Sequence, residues 1–337
     1  MNARPNSSTA FPVVRVITRL ILSLCALGPV LSAQAQGDAA WPAKPVRIVV
    51  GLAAGGGTDV ITRLVAQKLT ERLGQPFIVE NKPGTSAIVG TDYVARAQPD
   101  GYTLLVSPSG PIVMNPIMYT KLSYSPQRDF APIALIARFP LVLLVENSRP
   151  FKSVGELVAY LKTGPKDANY SGASSAFQLA VEMFKQRTGV PLEFIPYKGS
   201  NEAIHAVLSG SVLTTLVDAG PASGPLRGGR VRGLAVTAPA RMTSFPDIPT
   251  MSEAGLTGLD IQFWMGLLAP TGTPAAIVKK LEGEIAAIVR LPDVAARMRA
   301  LEVIPAGSGA DEFARVIASE LAQWAQVAKT AGVKPAN

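Results

Sequence analysis

The chain has little of the chemistry that most enzymes and metal sites need. It contains one cysteine, Cys25, and one histidine, His205, among 337 residues, and aromatic residues make up 6% of it. With one thiol and one imidazole, the chain has too few of these groups for a disulfide framework or for a typical catalytic zinc or iron site. His205 lies inside a predicted helix, and no serine stands in the G-x-S-x-G pattern of a hydrolase elbow. We therefore predict no catalytic residues, no bound metal and no cofactor.

Charge of one sign is not concentrated anywhere along the chain. Lysine and arginine total 32 against 24 acidic residues, which gives a formal net charge of +8. The densest basic group, Arg227, Arg230 and Arg232, is interspersed with glycines. Nucleic-acid binding needs a concentrated basic face with aromatic platforms, so no nucleic-acid partner is predicted. A dispersed positive charge instead suits a protein with small anionic ligands.

Long hydrophobic runs are absent except near the N-terminus. There Arg4, Arg15 and Arg19 form a positive segment, residues 20–31 are mostly apolar, and residues 33–35 read Ala-Gln-Ala. The apolar stretch is too short and too interrupted for a membrane-spanning helix. The order of positive, apolar and small-x-small segments is typical of a secretory signal peptide. We predict a signal peptide over residues 1–35, cleaved near Ala35, and a periplasmic protein.

A lipoprotein signal is the alternative interpretation of the same segment. Residues 22–25, Leu-Ser-Leu-Cys, loosely resemble a lipobox, but Leu24 stands where a small residue is expected. Cleavage near Ala35 would remove Cys25 and leave the mature chain without a thiol.

Short apolar runs alternate with amphipathic segments over the rest of the chain. Residues 46–50 predict a buried strand, residues 60–73 a helix, and residues 77–79 the next strand. A second series begins with a predicted strand at 141–145, and more strands and helices follow up to residue 329. This alternation predicts an α/β fold with mostly parallel sheets flanked by helices, arranged in two lobes joined by crossing strands.

The loop after the first predicted strand is the strongest candidate for ligand binding. Residues 51–59, Gly-Leu-Ala-Ala-Gly-Gly-Gly-Thr-Asp, lie between that strand and the first predicted helix. Glycines let the backbone approach a ligand closely, and a helix start offers unpaired N–H groups and a favourable dipole. Gly57 stands where a Walker A motif has its lysine, and Val60 where a dinucleotide fingerprint has its third glycine. The loop predicts a site for one small anion, with a tight turn capped by Thr58 or Asp59 as the alternative.

Two further loops follow predicted strands in the same way. Residues 171–175, Ser-Gly-Ala-Ser-Ser, precede a predicted helix, and residues 107–110, Ser-Pro-Ser-Gly, end the third predicted strand. Ligands of open α/β sheets collect at the carboxyl ends of strands, where all three loops fall. Hydroxyl and amide groups at these positions would bind a second polar group. Simple N-capping by Ser174 or Ser175 is the alternative.

Several short motifs occur in a fixed order along the chain. They begin with Trp41-Pro42, the strand at 46–50 and the loop at 54–59. The later motifs are Val79-Glu80-Asn81-Lys82-Pro83-Gly84, Pro99-Asp100-Gly101-Tyr102-Thr103-Leu104, Pro196-Tyr197-Lys198-Gly199, Leu234-Ala235-Val236-Thr237, Pro246-Asp247-Ile248-Pro249-Thr250, Glu253-Ala254-Gly255 and Ala269-Pro270-Thr271-Gly272-Thr273-Pro274. Over essentially the whole mature chain, this sequence resembles the Bug/TctC family, the extracytoplasmic receptors of tripartite tricarboxylate transporters.

The resemblance implies a fold and a set of ligand contacts. It implies a two-lobed, flytrap-like periplasmic-binding-protein fold of type II, with residues 42–140 plus 262–337 as lobe 1 and residues 141–261 as lobe 2. It further implies that main-chain amides, hydroxyls and ordered water hold the carboxylate of the ligand. The ligand-binding residues expected on these grounds, together with the loops above, are Ala54, Gly55, Gly56, Gly57, Thr58, Ser107, Ser109, Ser171, Gly172, Ala173, Ser174, Ser175, Phe177 and Asp218.

The sequence departs from the family pattern at three places. Residues 85–90 read Thr-Ser-Ala-Ile-Val-Gly where the family has small residues and an asparagine, and Ser174 replaces a glycine. Phe177-Gln178 stands where a small polar residue and a histidine are common. As one hypothesis, Phe177 enlarges the apolar side of the pocket and favours an aromatic mono- or dicarboxylate of the phthalate or terephthalate type. The alternative is that Phe177 only packs against the core of its lobe.

The function expected from these observations is capture without chemistry. The protein would be a monomer that binds a small carboxylate between its lobes and delivers it to the membrane permease subunits of a tripartite tricarboxylate transporter. A carboxylate sensor that feeds a signalling receptor is the alternative within binding proteins. An exported enzyme that acts on an organic acid is the alternative from another class.

Overall fold

The computed structural model describes residues 41–172 and 174–335. The predicted signal peptide, its cleavage site and Cys25 lie outside these residues, as does Ala173. The chain divides into the units Met1–Ala43 and Lys44–Asn337, and the fold below is that of the second unit. In the described part of the chain, no helix is both long enough and apolar enough to span a membrane.

The second unit alternates strands with helices, as the apolar pattern predicts. Its strands are Val46–Val50 (β1), Phe77–Asn81 (β2), Thr103–Pro108 (β3), Phe130–Glu146 (β4), Asn169–Gly172 (β5), Glu193–Pro196 (β6), Thr214–Asp218 (β7), Val231–Val236 (β8), Gln262–Pro270 (β9) and Ile304–Ser308 (β10). Its α-helices are Gly57–Leu73 (α1), Ile88–Ala95 (α2), Asn115–Met118 (α3), Pro126–Asp129 (α4), Val154–Lys162 (α5), Ser175–Thr188 (α6), Ser200–Leu208 (α7), Ala219–Arg227 (α8), Ala275–Ile288 (α9), Pro292–Ala300 (α10) and Ala310–Ala331 (α11).

The strands form one curled sheet in the order β2-β1-β3-β9-β4-β7-β5-β6, with β8 and β10 also paired to β4. The outer pairs β1–β2, β1–β3, β5–β6 and β5–β7 are parallel. The pairs that involve β4 or β9 are antiparallel. The predicted α/β class is confirmed. The long crossing strands make the sheet mixed, which the alternation of strands and helices did not reveal.

Strand β4 connects the two halves of this sheet. Its residues 130–140 pair with β9, and its residues 141–146 pair with β7 and β8. At the change of partner, the Thr237 hydroxyl bonds to Ile261 and accepts a hydrogen bond from the Leu141 amide at 2.9 Å. We propose on this basis that the lobes have their predicted ranges, 42–140 plus 262–337 (lobe 1) and 141–261 (lobe 2).

The sequence of helix α1 accounts for its buried face and for the positions of its two ends. Ile61, Val65 and Leu69 recur at four-residue spacing and are buried against the sheet, which accounts for the predicted helix. Gly74, in the left-handed conformation at φ 72°, ends the helix, and its N–H donates to Thr70. The helix begins at Gly57, three residues before the predicted start. The glycine loop and the helix start are therefore continuous.

Candidate functional site

A cavity of about 690 Å³ lies between the two lobes. Its wall is formed by the loop after β1, the starts of α1 and α6, the ends of β3 and β7, the middle of β4, the start of β9 and helix α8. The turns at residues 86–87, 109–111 and 300–303 complete it. A volume of this size is in the usual range for small-molecule sites. Among the sequence-predicted contacts in the described residues, those in the wall are Gly57, Thr58, Ser109, Ser174, Phe177 and Asp218.

The start of α1 enters the cavity from lobe 1 through Gly57 and Thr58. Its N-cap residue is Gly56, and no side chain caps the helix. Neither Thr58 nor Asp59 therefore caps the first turn of the helix, although Asp59 bonds to the Gly55 amide in the loop before it. The first N–H groups of any α-helix lack partners inside the helix, so this uncapped start can donate to an anion.

Asp59 fixes the shape of the loop before α1. Its carboxylate is buried and accepts hydrogen bonds from the Gly55 amide at 2.9 Å, the Arg63 guanidinium at 3.0 Å and the Asn81 side-chain amide at 3.0 Å. Burial alone would raise the pKa of Asp59, but the bonds from Arg63, Gly55 and Asn81 outweigh it and lower the pKa. Gly55 adopts φ 85°, which only glycine tolerates easily. The loop is thus pre-organised by a charged group that does not face the cavity.

The start of α6 enters the cavity from lobe 2. Its N-cap is Ser174, which is exposed and lines the cavity, but its hydroxyl makes no capping bond. The simple N-capping alternative is therefore wrong for Ser174. A second uncapped helix start faces the same cavity as that of α1, from the other lobe.

Several predicted contacts instead hold the framework behind the wall. The buried Ser171 hydroxyl donates to the Ala203 carbonyl at 2.9 Å, and the Gly172 carbonyl accepts from the Tyr197 amide. The buried Ser107 hydroxyl donates to the Pro108 carbonyl at 2.9 Å. Ala54, Gly55 and Gly56 lie on the exposed loop before α1 and outside the wall. None of these residues is part of the cavity wall.

Backbone strain is concentrated at this cavity. Within the described residues, the non-glycine residues with positive φ are Ser86 (49°), Ala87 (59°) and Glu302 (57°), and all three line the wall. Such conformations cost about 1–3 kcal/mol each and cluster at functional sites. The 3₁₀ turn at Thr85–Ala87 packs closely against Gly51, the residue after β1, since a Cβ on Gly51 would lie 2.8 Å from that of Ala87. The sequence marked this turn as unusual but not its place in the wall.

Aromatic rings form much of the apolar wall. Phe139, Phe177, Phe263 and Trp264 all line the cavity. Phe177 is 8% exposed and meets Phe263 of the other lobe edge-on, with ring centroids 5.1 Å apart. Phe177 therefore both packs in the core and lines the cavity, so the two hypotheses for it are not exclusive. The sequence could not reveal its ring partner Phe263, which comes from β9.

Trp264 is held from behind by a partly buried carboxyl group. Its indole N–H donates to Glu320 of α11 at 2.8 Å, and its ring meets Phe313 edge-on at 4.9 Å. Burial raises the pKa of Glu320 to about 7, although the Trp264 bond and the charge of Arg138 oppose the shift. Glu320 fixes the orientation of a fully buried ring in the wall.

Among the residues that the structure describes, the charged side chains in the cavity wall are Asp218, Arg227 and Glu302. Asp218 ends β7 and accepts a hydrogen bond from the Ser200 hydroxyl at 3.1 Å. Burial raises the pKa of Asp218 to about 6, and the Ser200 bond only partly offsets it. Arg227 and Glu302 bond to each other across the lobes. Neither was predicted, because they lie 75 residues apart in the sequence.

Comparison with known proteins places this geometry in a class. The family described as Tripartite tricarboxylate transporter family receptor (TctC) matches residues 61–333. The structure of R. palustris Rpa4515 with adipate is 35% identical, with a TM-score of 0.79, and the match covers 88% of this chain and 100% of that one. The periplasmic binding protein BugD is 32% identical, with a TM-score of 0.75, over 88% and 100%. MatC from Rhodopseudomonas palustris with bound malate is 31% identical, with a TM-score of 0.74, over 85% and 99%.

The fold and the cavity are those of a two-lobed periplasmic solute-binding protein. The chain belongs to the TctC family of tripartite tricarboxylate transporter receptors, also known through its Bug members. The family and its structural neighbours are solute-binding receptors and not enzymes. The predicted family, fold class and non-enzymatic role are thereby confirmed.

Proposed function

We propose that the protein captures a small carboxylate in the cavity and delivers it to the permease subunits of a tripartite tricarboxylate transporter. The observation that carries this proposal is the pair of uncapped helix starts, α1 from lobe 1 and α6 from lobe 2, at one cavity. Both supply N–H donors and a positive dipole end to an anion. A ligand that contacts both starts binds the closed form best, and so stabilises the closed form.

The proposed contacts follow from the wall. Gly57, Thr58 and Ser109 would bind the carboxylate of the ligand from lobe 1 and Ser174 from lobe 2, and Asp218 would contact the rest of the ligand. The loop residues Ala54, Gly55 and Gly56 and the buried Ser107, Ser171 and Gly172 would position these groups. We also propose that the signal peptide is cleaved near Ala35 and that the mature protein acts in the periplasm.

The apolar wall supports an aromatic ligand, such as a benzoate-type monocarboxylate or a phthalate- or terephthalate-type dicarboxylate. Phe139, Phe177 and Phe263 offer ring faces and edges to a flat guest, and the cavity of about 690 Å³ accommodates one. Two of the structural neighbours named above, Rpa4515 and MatC, hold the aliphatic acids adipate and malate. The aromatic wall is the feature of this chain that argues for a different guest.

A thermal-shift screen tests the proposal. The purified protein is heated with benzoate, phthalate, terephthalate, nicotinate, adipate, malate and amino acids, each over a concentration series. A carboxylate that binds the native state raises Tm with increasing concentration. If no acid shifts Tm and mass spectrometry of the denatured protein finds no retained acid, the proposal is wrong. Uptake of the hit by cells with and without the permease subunits tests delivery.

The variant Phe177→Leu tests the aromatic guest. The aromatic acid found in the screen is expected to bind about 5-fold more weakly, because one ring contact of about 1 kcal/mol is lost. Phe151→Leu is the matched control, since Phe151 is buried in the same lobe against Tyr160 and outside the cavity wall. Calorimetry measures the affinity of each of the two variants for the aromatic acid. Equal affinities for Phe177→Leu and the parent would leave Phe177 as a core residue only.

A further inference from the structure

Glu302 occupies a backbone conformation that disfavours its own side chain. It follows α10 in a turn at φ 57°, where glycine would be unstrained. Its side chain is nevertheless buried in the cavity wall, with the residue 8% exposed. A strained residue at a ligand cavity persists where the surrounding contacts hold it, and it points to a functional role.

The contacts that hold Glu302 come from the other lobe. Its carboxylate accepts a hydrogen bond from the Ser223 hydroxyl at 3.2 Å and from the Arg227 guanidinium at 3.3 Å. Both donors lie on one face of α8, where Gly220 also packs closely on this turn. A Cβ on Gly220 would lie 3.0 Å from the Leu301 carbonyl oxygen. The small residue lets α8 approach the turn and brings Arg227 to Glu302.

Arg227 carries the positive charge among the described residues of the cavity wall, and its Nη2 group bonds to Glu302, while the side chain as a whole is 59% exposed. A guanidinium is the side chain best suited to bind a carboxylate, through two parallel N–H donors. Here the Arg227 guanidinium bonds to Glu302 and lies 5.6 Å from the centre of the Phe245 ring. Asp218 adds a second negative group to the wall and has no ion pair among the described residues. The charged groups of the wall thus sum to one net negative charge.

This arrangement, together with the proposed function on which the inference rests, defines the class of acid. The geometry points to Glu302 as the specificity-determining residue that occupies Arg227, so that the cavity accepts an acid with one carboxylate and an apolar body and disfavours a second carboxylate. The single carboxylate is held by the helix starts of α1 and α6. The remainder of the ligand meets the aromatic wall. The second carboxylate of a diacid would meet Asp218 and Glu302, beside an Arg227 guanidinium that already bonds to Glu302.

Matched pairs of acids test this inference by calorimetry. Benzoate is compared with terephthalate, and hexanoate with adipate, at pH 7.5, where Asp218 with a pKa of about 6 is ionised. The parent protein is expected to prefer the monocarboxylate of at least one pair by 10-fold or more. Glu302→Gly, which removes the carboxylate and suits the positive φ, is expected to raise the ratio of diacid to monoacid affinity by about 10-fold. Glu302→Gln should shift it in the same direction with the side-chain size retained.

Two control variants separate the effect of Glu302 on Arg227 from a general loss of charge. The double variant Glu302→Gly with Arg227→Gln is expected to lose the gain in diacid affinity, because the freed cation is gone. Glu312→Gln removes one negative charge from the exposed side of α11 and is expected to leave the ratio unchanged. Circular dichroism and Tm confirm that each variant is folded.

The outcomes distinguish this inference from the proposed function. If the parent binds diacids as tightly as monoacids, or if Glu302→Gly leaves the ratio unchanged, the specificity role of Glu302 is wrong while carboxylate binding stands. If the parent binds no carboxylate at all, the proposed function is wrong and the inference falls with it.

Discussion

The two helix starts at the cavity, which we propose bind the same carboxylate, are built differently. The loop before α1 is fixed by Asp59, whose carboxylate is bonded to Gly55, Arg63 and Asn81. The start of α6 has no side-chain cap, and the exposed Ser174 precedes it directly. Binding a ligand costs less free energy when the hydrogen-bond donors are already in place than when they must be ordered on binding. We infer that lobe 1 supplies the rigid half of the site and that lobe 2 contributes mainly on closure.

The largest expected effect comes from removing the carboxylate that fixes the lobe 1 loop. Asp59→Ala leaves the Gly55 and Asn81 donors without their acceptor and is expected to cost about 3 kcal/mol of stability. It should also weaken carboxylate binding by 10-fold or more. Urea unfolding and calorimetry measure the two losses.

Asp167→Ala is the matched control for this comparison. Asp167 also carries a lowered pKa and is bonded to Arg149 and Tyr160, but it lies outside the cavity wall. The Asp167→Ala variant is expected to be less stable than the parent protein but to bind the carboxylate with the same affinity. A loss of affinity as large as that of Asp59→Ala would show that general destabilisation, and not the loop, explains both variants.

An intermediate effect is expected when a negative charge is placed at the start of α6. Ser174→Asp puts a carboxylate where the ligand's carboxylate is proposed to bind, so affinity should fall about 10- to 30-fold. The unliganded protein should become slightly more stable, by about 0.5–1 kcal/mol, because the new side chain caps the helix. Opposite signs for stability and affinity would place Ser174 in the binding site.

Ser153→Asp is the control at a helix start outside the cavity. The Ser153 hydroxyl already caps α5 by accepting from the Glu156 amide at 3.2 Å. Its replacement should change stability by less than about 0.5 kcal/mol and leave ligand affinity unchanged. If Ser174→Asp behaves like this control, the α6 start does not hold the ligand.

The smallest expected effect is on the pH dependence of stability. Burial raises the pKa of Asp218 to about 6 and that of Glu320 to about 7, above the values of about 4 for unfolded chains. The native state therefore keeps these protons to higher pH than the unfolded state does, and both groups make stability fall as pH rises from about 4 to 7. Asp59, whose pKa is lowered, titrates below this window.

The variants Asp218→Asn and Glu320→Gln test this sign. Each should flatten the fall in unfolding free energy between pH 4.5 and 7.5 and stabilise the protein at pH 7.5 by on the order of 1–2 kcal/mol. Urea unfolding at a series of pH values provides the measurement. An unchanged slope in both variants would mean that neither carboxyl group is desolvated as the structure indicates.

Much of the fold follows from local pattern, and what does not follow has physical reasons. Strand β1 has its predicted bounds, and α1 needs only its first turn added. Helix α8 was not predicted because Ala219–Arg227 contains two glycines and two prolines, which normally mark a loop. Strand β4 was predicted only in its second half, since Pro132 and Pro140 interrupt its pattern.

The candidate site divides in the same way. Loops that follow strands could be located from the sequence, because the position of strand ends relative to a sheet is general. The cavity wall opposite them could not, since it depends on contacts between distant segments. Phe263 meets Phe177, and Arg227 meets Glu302, only after both crossing strands are in place. The features that narrow the ligand class are therefore those that sequence pattern leaves out.

The position of β9 in the sheet also sets an order of assembly. Leu105 of β3 pairs with Leu268 of β9, and all of β5 to β8 lies between them in the sequence. On a growing chain β3 has one edge without a neighbour until more than 150 further residues are available. Exposed apolar strand edges recruit other chains. For this topology, a chain kept extended until it is complete avoids the stage at which the half-built sheet is most prone to aggregate.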